Sequence, residues 1–183
     1  TPDTPGRDPS VIADKDFETY LALRFPVGLN FDPGNKAVAQ RSLKRFNDWV
    51  AEKTKAGAKA TGQYEGILGM KDPANSIGAA ARIGQISQNL SDILFTAEIP
   101  KDVRTGEFAE DKVDAFCDKM SEVADPLEKR SLEAFGICLS KSTELGWFSD
   151  WSRLCERELG QIKPEEYPTA SELRGEPTQV NTI

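Results

Sequence analysis

Apolar residues recur at three- and four-residue intervals along most of this chain, which is the spacing of side chains on one face of an α-helix. The segments that show this spacing are 34–70, 74–97, 107–124, 126–145 and 148–162. Only residues 20–31 alternate in the manner of a strand, and one short strand cannot form a sheet. The sequence therefore predicts an all-α chain of about five helices.

Capping residues mark where several of these helices should begin. Asp72 can accept hydrogen bonds from free backbone amides, and Pro73 suits the first helical position. The run Asp125-Pro126-Leu127-Glu128 has the same start with a glutamate three residues after the cap, so a fourth helix is predicted to begin there. Gly57 and Gly62 each weaken the long first helix by about 1 kcal/mol, which allows a kink or a break.

The second predicted helix carries a narrow stripe of small and apolar side chains. Its members are Ile77, Ala80, Ala81, Gly84, Ser87, Leu90 and Leu94. Helices that approach each other closely need small residues at the contact. The stripe therefore predicts tight helix packing rather than a chemical site.

Proline and polar residues set the two ends of the chain apart from its middle. Three prolines fall within the first nine residues, and three more lie within 163–183. We expect an extended N-terminal segment over 1–32, a helical repeat-like domain over 33–162 and an extended C-terminal tail over 163–183. The apolar runs are far shorter than the roughly 20 residues that cross a bilayer, so no membrane span is predicted.

The composition removes most familiar catalytic chemistry. The chain has no histidine, so Ser-His and Cys-His pairs and histidine-containing zinc sites are excluded. Its formal net charge of −7 disfavours nucleic acid as a partner. Residues 57–63 have the glycine spacing of a phosphate loop, but Gln63 replaces the required lysine. An enzyme that uses only carboxylates stays open, although no spacing selects a pair. We expect no catalytic residue, no metal and no cofactor.

Three cysteines are too few and too far apart for a Cys-x-x-Cys motif. The plain interpretation is that Cys117, Cys138 and Cys155 are buried free thiols. A turn between Gly146 and Trp147 would also place Cys138 and Cys155 at equal height on antiparallel helices. A disulfide between them would need facing side chains and α-carbons within about 7 Å, which spacing leaves open.

Basic residues cluster between the apolar positions of the first helix. They are Arg41, Lys44, Arg45, Lys53, Lys55 and Lys59. A solvated helix face is the favoured interpretation, since exposed ion pairs contribute only about 0–1 kcal/mol each. A docking patch for an acidic segment is the alternative.

Several motifs together resemble one family. They are Asp72-Pro73, the run 79–86, Ile99-Pro100, Asp125-Pro126-Leu127-Glu128, the run 144–151 with its Glu-Leu-Gly-Trp-Phe-x-x-Trp pattern, and Glu166-Tyr167-Pro168. This set is similar to tetratricopeptide-repeat-like proteins of myxobacteria and their relatives, and it covers roughly 61–173. The chain departs from that family because no self-similarity of about 34 residues runs through it, and because its first helix is long.

The resemblance implies a fold, a location and a function. It implies antiparallel helical hairpins stacked as a short, degenerate solenoid, located in the periplasm or cell envelope, where such proteins include gliding-motility components. It further implies a non-catalytic scaffold that binds a protein or peptide partner. The alternative is a purely structural module of a larger repeat protein, with no binding activity of its own.

Helical phase suggests which side chains would line the partner surface. Residues that fall near an exposed edge of the small-residue stripe, or off the inward face of the last helix, are Tyr64, Arg82, Gln85, Gln88 and Trp147. Phe148 and Trp151 share the inward face of the last helix and are predicted to belong to the core.

Overall fold

The computed structural model describes residues 9–70 and 72–168, and within these ranges it contains helices and no strand. The helices are α1 (Pro9–Ala22), α2 (Lys36–Leu68), α3 (Pro73–Phe95), α4 (Ala109–Leu145) and α5 (Asp150–Ile162). The all-α prediction is confirmed. Among the described helices, none combines the length and the apolar character needed to cross a membrane.

Helix α3 lies at the centre and contacts each of the other four helices. Its neighbours α2 and α4 do not pack against each other, which leaves one side of α3 uncovered between them. Helices α1 and α2 run antiparallel, since Tyr20 reaches Lys53 while Asp14 reaches Tyr64. The described helices are therefore arranged around α3, with an open sector between α2 and α4.

Two clusters of buried side chains form the core. The larger joins α1 and α2 to the second half of α3 and the first half of α4, with Phe17, Tyr20, Phe46, Trp49, Tyr64, Ile86, Leu90, Leu94 and Met120 among its members. The smaller lies between the first half of α3, the second half of α4 and α5, and consists of Ile77, Ala80, Ala81, Phe135, Cys138, Cys155 and Leu159.

Gly84 is the point of closest approach between α3 and α4. A Cβ atom at this position would lie 2.5 Å from the ring of Phe135, which is completely buried. The side chain of a residue as small as alanine would overlap that ring. The small-residue stripe predicted from the sequence therefore serves tight packing of α3 on α4.

Gly84→Ala is expected to lower the free energy of unfolding by about 1–3 kcal/mol, because an overpacked site forces the ring and the backbone apart. Gly136 is the matched control: it lies in α4 beside Phe135, yet a Cβ there would have no neighbour within 4 Å. Gly136→Ala should raise stability by up to about 1 kcal/mol. Urea unfolding of both variants tests this, and equal effects would contradict the packing argument.

The extended segment predicted for 1–32 is wrong over residues 9–22, which form α1. Ala13, Phe17 and Tyr20 stand at helical spacing and are buried in the larger cluster. The early prolines misled the prediction, because Pro9 occupies the first helical position, where its missing N–H costs nothing. Residues 23–35 then connect α1 to α2 without a helix, and residues 1–8 lie outside the described part.

The predicted boundary at Asp125-Pro126 is also wrong, because α4 runs unbroken from Ala109 to Leu145. A proline inside a helix removes one backbone hydrogen bond and costs about 3 kcal/mol. Packing offsets that cost, since Met120 and Ala124 before the proline and Phe135 after it are all buried in the core. The predicted total of about five helices still agrees with the described structure. The reason is that α1 was not predicted, while two predicted helices form the single helix α4.

The remaining helix predictions agree with the structure. Helix α2 is continuous through Gly57, whose missing side chain leaves space that the ring of Tyr20 approaches. Helices α3 and α5 begin and end within about two residues of the predicted bounds. Of the predicted C-terminal tail, residues 163–168 form a turn, and 169–183 lie outside the described residues.

Candidate functional site

Tyr64 and Arg82 meet at a polar junction formed by α1, α2, α3 and α5. The Tyr64 hydroxyl donates a hydrogen bond of 2.5 Å to Oδ1 of Asp14. The Arg82 guanidinium lies between two aromatic rings, 4.7 Å from the centre of Phe17 and 4.9 Å from the centre of Trp151. Such cation–π contacts tie the three elements that carry these side chains to one another.

The Arg82 guanidinium and the Asp14 carboxylate of this junction pair with each other, although Nε of Arg82 forms no hydrogen bond within the described residues. Nε of Arg82 lies 3.6 Å from the Asp14 carboxylate, and its Nη1 donates to Oε1 of Gln85 at 3.0 Å. Burial raises the pKa of Tyr64 above its usual value, and the hydrogen bond to Asp14 and its charge raise it further. The cavity beside these residues has about 80 Å³, room for only two or three waters. The junction therefore has a structural role, since it holds α1, α2, α3 and α5 together.

Of the residues predicted to line an exposed partner surface, Tyr64 is buried, and Arg82, Gln85 and Gln88 are half-buried and bonded to other residues of the fold. Tyr64 is only 3% exposed, Arg82 and Gln85 bond to each other, and Gln88 donates to Glu158 of α5 at 2.8 Å. The expectation of an exposed edge is corrected for these positions. Its physical reason is that α1, which the sequence did not predict, and α5 both cover that side of α3.

Trp147 is the exception, since it is 48% exposed at the connection between α4 and α5. Leu145 and Phe148 beside it are 46% and 72% exposed. We call residues 145–148 the aromatic turn. The prediction that Phe148 points inward is wrong, because Gly146 reverses the chain with a φ of 60° before α5 begins at Asp150. Trp151, one helical turn later, does pack inward against Gly78.

A disulfide and a hydrogen bond join α4 to α5, the two helices that flank the aromatic turn. Cys138 of α4 and Cys155 of α5 form a disulfide, with α-carbons 6.4 Å apart, so the pairing that spacing left open is present. The buried hydroxyls of Ser142 and Ser152 share a hydrogen bond of 2.9 Å. The third cysteine differs from its predicted burial: Cys117 is free and exposed on α4.

A groove lies over the uncovered side of α3, between α2 and α4. Its floor is formed by Ile83, Ile86, Ser87 and Leu90, and its volume is about 450 Å³. Lys53 of α2 lies in its wall. We call this feature the α2–α4 groove.

Lys53 was expected on a solvated helix face and is instead completely buried. Its ammonium donates a hydrogen bond of 2.7 Å to the Tyr20 carbonyl and sits 3.9 Å from the centre of the Tyr20 ring. Burial, together with the smaller effect of the positive charge of Arg24, lowers the pKa of Lys53 to about 8. No carboxylate of the described residues forms an ion pair with it. One signal was available: Lys53 lies four residues after Trp49 and seven after Phe46, in phase with the apolar face.

The described residues contain no group of three histidine, cysteine, aspartate or glutamate side chains placed to hold a metal ion. Within the described residues, the aromatic turn and the α2–α4 groove are candidate binding surfaces. Comparisons of the chain with protein-family models, with curated proteins and with solved structures find no match.

Proposed function

We propose that this chain is a non-catalytic helical scaffold that binds a protein or peptide partner through the aromatic turn. The observation that carries the proposal is the exposure of Trp147 and Phe148 side by side, at 48% and 72%. Tryptophan and other large aromatic residues are enriched among the side chains that dominate binding energy at protein interfaces. A partner that covers these two side chains would remove their apolar surface from water, which favours binding.

Rigidity of the aromatic turn supports the same proposal. The disulfide between Cys138 and Cys155 and the hydrogen bond between Ser142 and Ser152 hold the two helices that flank it. A surface that is already ordered loses less conformational entropy on binding. A cleft beside Phe148, lined also by Arg153 and Tyr167, offers polar contacts around the apolar centre.

The pairing of the helices bears on the architecture of the chain, and the disulfide bears on its location. Antiparallel packing of α1 with α2 and of α4 with α5 supports a short, degenerate array of tetratricopeptide-like hairpins. A disulfide is typical of oxidising compartments, which supports a place in the periplasm or cell envelope. A role in an envelope assembly such as a gliding apparatus follows from the family resemblance alone.

Replacing both Trp147 and Phe148 with serine is expected to weaken partner binding by about thirtyfold, as the loss of a hot spot of about 2 kcal/mol does. Stability should change little, since neither side chain is buried. The measurement is quantitative capture of envelope proteins by full-length bait, followed by titration of the purified partner. Leu43→Ser is the matched control, because Leu43 is 52% exposed on α2, away from the turn. Undiminished binding by the double variant would refute the proposal.

The alternative, a structural module with no partner of its own, is favoured by the internal contacts of Tyr64, Arg82 and Gln88. It predicts a different result for Arg82→Met. In a module, this change lowers the stability of the larger protein and leaves the set of captured proteins unchanged. If Trp147 and Phe148 also prove indifferent to capture, the module is the better description.

A further inference from the structure

The α2–α4 groove extends along α2. Lys53 and Glu65 both line it and stand twelve residues apart, which corresponds to about 18 Å along a helix. Its volume of about 450 Å³ lies in the range of small-molecule sites, which is roughly 300–1,000 Å³. The groove is therefore large enough for an extended small molecule.

The two ends of the groove differ in charge. Gly57 of α2 contacts Ile86 of α3, and a Cβ at Gly84 would meet Phe135 of α4. Because α3 runs antiparallel to both helices, Lys53 and Arg130 fall at the same end of the groove, near Leu90. Glu65 falls at the opposite end. The groove therefore has a cationic end and an acidic end joined by an apolar floor.

The cationic end lacks a counter-ion. Neither Lys53 nor Arg130 forms an ion pair with any described residue. Lys53 is completely buried, so its charge is poorly screened, whereas Arg130 is exposed at the rim with its donors free to reach a ligand. A buried cation with no anionic partner is destabilising, and an anion in the adjacent groove would relieve part of that cost. Glu133 on the rim opposes this effect in part.

We propose that the α2–α4 groove binds a single-chain aliphatic carboxylate. Its hydrocarbon chain lies along Ile83, Ile86 and Leu90, and its carboxylate lies at the cationic end. Arg130 donates hydrogen bonds to the carboxylate, while Lys53 beneath the wall contributes positive charge. The acidic end, at Glu65, excludes the reverse orientation. This site is separate from the aromatic turn and does not depend on the proposed scaffold function.

Calorimetric titration of the full chain with dodecanoate, kept below its micelle concentration, tests the proposal. We expect one site per chain, and about tenfold weaker binding of the uncharged dodecanol and of dodecyltrimethylammonium, as for the loss of a charge-assisted hydrogen bond. Thr61→Trp, which fills the middle of the groove, should abolish binding while circular dichroism shows the helices intact. Absence of dodecanoate binding to the unchanged chain would overturn the proposal.

Two exposed residues one helical turn apart on α4 provide a matched pair. Arg130→Gln should weaken dodecanoate binding about tenfold, and Glu133→Gln should leave it unchanged or tighten it. Because both side chains are exposed, neither change should unfold the protein. Equal binding by the two variants, equal binding of the cationic amphiphile, or undiminished binding by Thr61→Trp would each contradict a carboxylate site in this groove.

Discussion

Reduction of the disulfide between Cys138 and Cys155 is expected to lower the free energy of unfolding by about 3 kcal/mol. The bond joins residues 17 apart in sequence, and opening a loop of this size returns many conformations to the unfolded chain. Both cysteines are completely buried between α4 and α5, so the native state itself needs little rearrangement. Urea unfolding with and without a reductant measures the difference.

Cys117 supplies the control for this experiment. It is free and exposed, so Cys117→Ser should leave stability within about 0.5 kcal/mol of the unchanged chain, with or without reductant. The double change Cys138→Ala with Cys155→Ala should reproduce the reduced protein under oxidising conditions. An unfolding midpoint that does not respond to reductant would show that the packing of Leu159 and Trp151 alone holds α5 in place.

Lys53→Met is expected to raise the free energy of unfolding at pH 7 by about 2 kcal/mol. Burial lowers the pKa of Lys53 from 10.5 to about 8, and this interval corresponds to roughly 3 kcal/mol of destabilisation while the amine is charged. Loss of the hydrogen bond from Lys53 to the Tyr20 carbonyl offsets about 1 kcal/mol of this gain. The Tyr20 carbonyl still accepts a hydrogen bond from the amide of Leu23 at 3.2 Å. Lys55→Met, at an exposed position on the same helix, is the control.

The same substitution should flatten the dependence of stability on pH. Between pH 8 and about 9.5, Lys53 binds fewer protons in the folded protein than in the unfolded chain, so stability rises with pH. Burial raises the pKa of Tyr20 and of Tyr64, so near pH 10 only the unfolded chain loses those protons and stability falls again. Thermal unfolding across this range tests both trends. A pH-independent stability in the unchanged chain, or a less stable Lys53→Met, would contradict the argument.

Local signals were sufficient where a helix has its own caps and a continuous apolar stripe. Asp72 accepts hydrogen bonds from the amides of Ala74 and Asn75, and Pro73 follows it at the first position, as predicted. The stripe through Gly84 correctly indicated close packing. At Asp125-Pro126 the same type of signal gave a wrong helix start. A capping pattern is compatible with the start of a helix, but tertiary packing decides whether the helix continues through it.

The surfaces were harder to predict than the helices. Tyr64 and Arg82 lie on predicted helix edges, but whether an edge is exposed depends on which other helix covers it, and α1 and α5 cover this one. Lys53 follows the apolar phase of α2. A charged residue considered by itself is expected on the solvent-exposed face, so the burial of Lys53 was not predicted. The exposure of Phe148 depends on the backbone conformation at Gly146, two residues away.

Sequence periodicity, capping residues and the absence of histidine were enough to establish the helical class, the bounds of α2, α3 and α5, and the families of catalytic site that are excluded. These properties depend on neighbours within a few positions, where side-chain spacing and backbone preference act directly. The disulfide, the contacts of Arg82 with α1 and α5, the burial of Lys53 and the groove between α2 and α4 depend on residues at least 17 positions apart. Only the packing of whole helices decides which of these distant side chains meet, because each helix offers more than one face and burial selects between them.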